Sequence, residues 1–222
     1  VTINDDDKPT VATILPLPSF LQNFDSSTNA ADSDFRDSSN GWFGNLSVVP
    51  TGTNGIATKS GAGDYAVVTQ SGPVGFYGET GPVTSFDGYQ SEFGKGFKTS
   101  IDIYLDPSWA GGNGFDYTVA VNDQSGNHRR DFIFHVSKDI SENALLIGGS
   151  NNSGPNPRQD LENINHAEID SAGWYTFEHV FRDAGDGTLA VDLNVYDATG
   201  TLIFTETRNT PSDLLATIVG GN

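Results

Sequence analysis

Carboxylates dominate the side chains of this sequence that could do chemistry. Its 222 residues hold 29 Asp and Glu against 11 Lys and Arg, a formal charge of −18 at pH 7. Two groups stand out: Asp5, Asp6 and Asp7 in a row, then Asp25, Asp32, Asp34 and Asp37 in a Ser/Asn-rich stretch. Clustered carboxylate oxygens are hard donors suited to Ca2+, although neither group has the fixed D-x-D-x-D-G spacing of an EF-hand loop. A solvated acidic linker and a solvated acidic loop are the alternatives. No cysteine is present, so disulfides, thiolate metal sites and cysteine nucleophiles are excluded, and zinc would have to rely on His and carboxylates. An acidic field repels phosphate backbones and anionic lipid while attracting divalent cations, which disfavours nucleic acid and membrane as partners. No apolar run reaches the roughly 20 residues of a membrane span.

Strands must position these groups. Residues 173–208 read as three alternating strands, 174–182, 189–196 and 202–208, joined by Gly-containing connections at 183–187 and 197–200. Further strands are expected at 19–25, 42–49, 65–69, 98–105, 115–122, 130–137 and 144–147, with a helical turn or two at 160–165 and 212–217. The 14 Phe, 7 Tyr and 3 Trp spread along these segments are the opposite of an aromatic-poor disordered composition. The pattern predicts an all-β fold: a two-sheet antiparallel β-sandwich of jelly-roll type with few or no helices. Residues 1–18, interrupted by Pro9, Pro16 and Pro18, read as a linker or the end of a preceding module, and 19–222 as the sandwich domain. The chain opens on Val1 and holds no Met, as expected of a processed piece of something longer.

Parity then sorts the side chains. Ile101, Ile103 and Leu105 share one face, which puts Asp102 and Tyr104 on the other. Phe115, Tyr117, Val119 and Val121 point inward against Asp116 and Thr118, and Phe132, Phe134 and Val136 against Asp131 and His135. Were these strands neighbours, Asp102, Tyr104, Asp116, Thr118, Asp131 and His135 would form one polar face; any half-exposed antiparallel sheet has such a face too. On the alternation of Tyr175, Phe177 and Phe181, His179 reads as a core histidine with a hydrogen-bond partner. The glycine-rich segment 72–82 has no P-loop lysine and reads as a loop carrying Phe76 and Tyr77, a candidate binding loop. His128, Arg129 and Arg130 form a basic cluster at an expected hairpin tip, where Arg129 meets either solvent or an anionic sugar.

Family resemblances add to this reading. The opening VTINDDD resembles the last strand of a Calx-β domain, which implies calcium ligation by Asp5, Asp6 and Asp7 at a domain seam. Residues 19–27, SFLQNFDSS, resemble the opening strand of concanavalin-like jelly rolls, implying a structural calcium near Asp25 and Asp34. Trp174, Phe177, Phe181, Val191, Val195 and Gly200 resemble the strand-turn-strand block of the concanavalin-like and laminin-G-like superfamily. Those residues match a fold, not a chemistry; in jelly rolls of this kind a polar sheet face such as that of Asp102, Tyr104, Asp116, Thr118, Asp131 and His135 is often the groove where a sugar chain lies. The catalytic members of the fold set a contrast. Their glycosidase strand E-x-D-x-x-E is missing, Asp102 and Asp106 would lie about 13 Å apart on a strand, and 90–93 and 133–135 only faintly echo alginate-lyase blocks. The expectation is a non-catalytic, calcium-binding module of a large extracellular or cell-surface protein, joined to neighbouring domains and recognising a glycan or cell-surface ligand. A structural spacer and a polysaccharide lyase or glycosidase are the alternatives.

Overall fold

Among the described residues, the segments read as alternating form strands; the linker read at 1–18 and the strand expected at 19–25 lie outside the described residues, Phe24 apart. The computed structural model describes residues 24, 42–43, 46–68, 83–84, 96–122, 128–151, 160–214 and 218–219. Four short strands come first, β1 (Trp42–Phe43), β2 (Leu46–Pro50), β3 (Asp64–Val68) and β4 (Val83–Thr84), pairing as β1 with β4 and β2 with β3. The long strands are β5 (Phe97–Leu105), β6 (Gly114–Asn122), β7 (His128–Lys138), β8 (Leu145–Asn151), β9 (His166–Ile169), β10 (Gly173–Asp183), β11 (Thr188–Tyr196) and β12 (Leu202–Leu214), followed by β13 (Ile218–Val219). They form a four-stranded sheet in the order β12-β11-β10-β5 and a five-stranded sheet in the order β13-β6-β7-β8-β9, all antiparallel. The protein is an all-β, two-sheet antiparallel sandwich. Among the described residues the only helical turns are 3-10, at Thr53–Gly55 and Leu161–Asn163. The second falls within the turn expected at 160–165, whereas 212–214 is extended as the end of β12.

The chain crosses between sheets after β5, returns after β9 and crosses again after β12. The β11–β12 turn is set by Asp197, whose Oδ1 accepts the backbone N–H of Thr199 at 2.8 Å and of Thr201 at 2.9 Å, the local capping that favours Asp in turns. At the β5–β6 end, the buried Lys138 ammonium donates to the carbonyls of Pro107 at 2.8 Å and Asn143 at 2.5 Å. That contact ties two loops together.

Between the sheets lies an aromatic layer. Phe134 meets Phe177 edge to face at 5.1 Å, Phe132 meets Phe181 at 5.6 Å, and Phe97 stacks on Phe181 at 4.5 Å. Phe132, Phe134, Phe177 and Phe181 are all at most 1% exposed. Such pairs contribute roughly 0.5–1.5 kcal/mol each beyond their area burial. β12 adds Phe204 to this interior, and then Glu206 and Arg208, which pair with each other on the same side of the strand. Burial pushes the Glu206 carboxyl up, against the lowering effect of Arg208.

His179, fully buried, sits within the layer at 4.8 Å from Phe134 and 5.2 Å from Tyr117. Its Nε2 lies 3.0 Å from the carbonyl of Phe132. A carbonyl only accepts, so Nε2 carries the hydrogen, and Nδ1 holds a lone pair with no partner in the interior. A second proton there would make an uncompensated buried cation, and burial lowers the pKa to about 3. This is the core histidine the alternation predicts. The folded pKa lies below that of the unfolded chain, so the unfolded state binds the proton first. Stability is therefore unaffected above about pH 6.5 and falls as pH drops toward 3, by roughly 4–5 kcal/mol in total. In His179→Leu, urea midpoints followed from pH 7 to pH 3.5 are expected to lose that part of the acid slope; a slope parallel to the parent would contradict it.

Candidate functional site

Because Phe177, His179 and Phe181 point inward, the intervening residues of β10 point out. Trp174, Thr176, Glu178, Val180 and Arg182 thus form a row about 27 Å long on the outer face of the four-stranded sheet. Register places Asp102 of β5 opposite Thr176, and Asn194 and Asp192 of β11 opposite Glu178 and Val180. Three carboxylates therefore run obliquely across the face, neighbours on the diagonal about 7–8 Å apart.

Each carboxylate has its own cation. Lys59 Nζ lies 2.7 Å from Asp102, Lys98 Nζ lies 2.9 Å from Glu178, and Arg182 grips Asp192 with two bonds of 2.7 and 2.8 Å. Hydroxyls and amides complete the network. Thr176 donates to Asp102 at 2.6 Å, Thr207 to Asp192 at 2.6 Å, and Thr205 to Asn194 at 2.8 Å. Glu178, 8% exposed, also receives Asn194 Nδ2 at 3.3 Å and the Tyr196 hydroxyl at 3.2 Å. Burial alone would push its carboxyl up, but the Lys98 ammonium, with Asn194 and Tyr196, outweighs burial and holds it below the usual value. The Arg182 bond likewise lowers Asp192.

One end of the row is aromatic and walled. Trp174 packs edge-on to Tyr104 at 5.6 Å and to Tyr65 of β3 at 6.0 Å, and its Nε1 donates to the Ala57 carbonyl at 2.7 Å. The loop between β2 and β3 thus stands over this end of the face, and Lys59 reaches down from it.

The expected single polar face is divided between two sheets. Asp102 and Tyr104 lie on the outer face of the four-stranded sheet, whereas Asp116, Thr118, Asp131 and His135 lie on the five-stranded one, because the chain changes sheet between β5 and β6. There His135 Nδ1 lies 2.7 Å from Asp116 Oδ1, and its Nε2 lies 2.6 Å from Ser150 Oγ. Asp131 pairs instead with His128 at 3.0 Å. Arg129 is exposed near the start of β7, at the β6–β7 hairpin end, as expected. Asp5, Asp6, Asp7, Asp25, Asp34, Phe76 and Tyr77 lie outside the described residues. Among the described residues, no group of three or more His, Asp or Glu converges as metal ligands would.

Glu178, Asn194 and Tyr196 were legible by the parity that placed His179 inside, since they alternate with core residues. Ser150 gave no such signal, following two glycines that read as a strand end. Searches against protein-family models, curated proteins and solved structures return no match. The compensation of Glu178 is directly measurable: Lys98→Ala is expected to raise its pKa in carboxyl-carbon NMR titrations, because burial then acts less opposed. An unchanged value would contradict the assigned cause.

Proposed function

We propose that this chain is a concanavalin-like recognition module that binds a neutral, polyhydroxylated glycan along the outer face of its four-stranded sheet. The observation that carries this reading is charge compensation. In a chain of net charge −18, this face pairs Asp102, Glu178 and Asp192 with Lys59, Lys98 and Arg182. A compensated face offers fixed donors and acceptors without a net field, which suits sugar hydroxyls better than an ion. The aromatic end at Trp174 and Tyr104 suits the apolar side of a sugar ring.

The same chemistry favours binding over cleavage here. Glycoside hydrolysis needs a carboxyl held protonated as general acid beside a second carboxylate. Glu178 and Asp192 are instead both shifted down by cations that already occupy them.

Calcium enters this reading through electrostatics and the acidic clusters of the sequence. A cation bound only by the native state stabilises by RT ln(1 + [L]/Kd), roughly 2.7 kcal/mol for a Kd of about 10⁻⁴ M in about 10 mM calcium. Such conditions are extracellular, and an extracellular or cell-surface protein joined to further domains, a Calx-β-like one preceding, is the setting proposed.

Titration calorimetry against neutral and uronic-acid oligosaccharides tests the site. Tyr196→Phe and Glu178→Gln are each expected to weaken binding of a neutral ligand by about 10-fold or more, as loss of a bond to a charged group does. Equal binding by parent and both variants would move the site elsewhere. Chelation of calcium is expected to lower the melting temperature by several degrees; an unchanged melt would remove the ion from the account.

A further inference from the structure

The outer face of the five-stranded sheet holds a second constellation, independent of the glycan reading. Asp116 on β6 and His135 on β7 are direct cross-strand partners. Gly148 of β8 is opposite His135, and Ser150 lies two residues further on the same side. The imidazole therefore lies between a carboxylate 2.7 Å from Nδ1 and a hydroxyl 2.6 Å from Nε2.

The carboxylate fixes the tautomer. It accepts only, so Nδ1 carries the hydrogen and the Nε2 lone pair faces the Ser150 hydroxyl. Nucleophile, base and orienting acid are thus joined in the order that activates a serine hydroxyl, each link within hydrogen-bond reach. The setting is dry at its centre and open at one end: His135 is 2% exposed, Ser150 6%, and the Asp116 side chain 33%.

Local packing builds this arrangement. Leu161 and Ile164 lie over β8, and a Cβ at Gly148 would meet Leu161 Cδ2 at 2.6 Å. On the inner side, a Cβ at Gly149 would meet Leu193 Cδ1 at 2.8 Å. The two glycines let β8 run between these layers and carry Ser150 to the histidine. Its partner on β7 is Ile133, so apolar groups border the hydroxyl.

We propose that Ser150 is an activated nucleophile for small, uncharged carboxylic esters, with His135 as general base and Asp116 as its positioning residue. Ser150 Oγ bonds to the ester carbonyl carbon while its proton passes to His135 Nε2. The carbon–alkoxy bond then breaks and the departing oxygen takes that proton, leaving acyl-Ser150 and an alcohol. Water attacks the acyl carbon, giving one proton through Nε2 back to Ser150 Oγ and releasing the carboxylic acid.

Diisopropyl fluorophosphate is the probe, since a serine activated in this way displaces its fluoride. Treatment of the whole chain, followed by intact mass and peptide mapping, is expected to show one adduct, at Ser150, forming faster as pH rises. Ser150→Ala is expected to abolish it and His135→Gln to slow it at least about 100-fold, the usual weight of a general base. Asp116→Asn, a change at the open end that spares the buried pair, is expected to slow it at least about 10-fold and alter the pH profile. No adduct on the parent protein, or labelling at the parent rate in folded Asp116→Asn, would overturn the proposal and leave the three residues as a structural link between strands.

Discussion

The edge-to-face contact of Phe134 with Phe177, ring centres 5.1 Å apart across the interior, is the constraint on which the remaining geometry depends. It sits between β7 and β10, an interior strand of each sheet. Once those two rings meet, the strand period of two decides every other side chain. On β10 the odd residues Tyr175, Phe177, His179 and Phe181 enter the core, and Thr176, Glu178 and Arg182 must leave it. A slip of one residue would bury two charges and expose three aromatic rings, so register here is strongly specified. The outer polar face is a by-product of the same contact that makes the core.

That logic explains what could be read from the chain alone. The first two strands of the meander were legible nearly to their ends, 174–182 being observed as Gly173–Asp183 and 189–196 as Thr188–Tyr196, while the third, expected at 202–208, starts as read but runs on to Leu214. Alternation is a property within a strand, and a single sequence displays it. Neighbourhood is not. β5 and β6 are consecutive yet belong to different sheets, so Asp102 and Asp116 decorate opposite outer surfaces. The connection between them, with Pro107, Gly111 and Gly112, reads the same whether the chain folds back beside itself or crosses over. β8 failed for another reason. Gly148 and Gly149 look like breakers, but their bare backbones permit close approach by Leu161 and Leu193, so the strand continues to Asn151.

The two outer surfaces solve the problem of polar groups on a sheet in different ways. The four-stranded sheet pairs each acid with a base and fills the spaces with Thr, Asn and Tyr hydrogen bonds, keeping the face wide and open. The five-stranded sheet covers β8 with Leu161 and Ile164 and links Asp116, His135 and Ser150 by hydrogen bonds across three strands. An open, self-neutralised surface suits recognition of an extended polar ligand. A dry relay ending in a hydroxyl suits activation of a nucleophile.

Hydroxyl-radical footprinting read by mass spectrometry tests the partition between core and face most directly, because it reports side-chain exposure one residue at a time. The account expects oxidation at Trp174, Tyr104 and Tyr196 with protection of Phe132, Phe134, Phe177 and Phe181 in the same experiment. Oxidation of Phe134 and Phe177 at rates matching Tyr196 would contradict the parity on which both proposed sites rest.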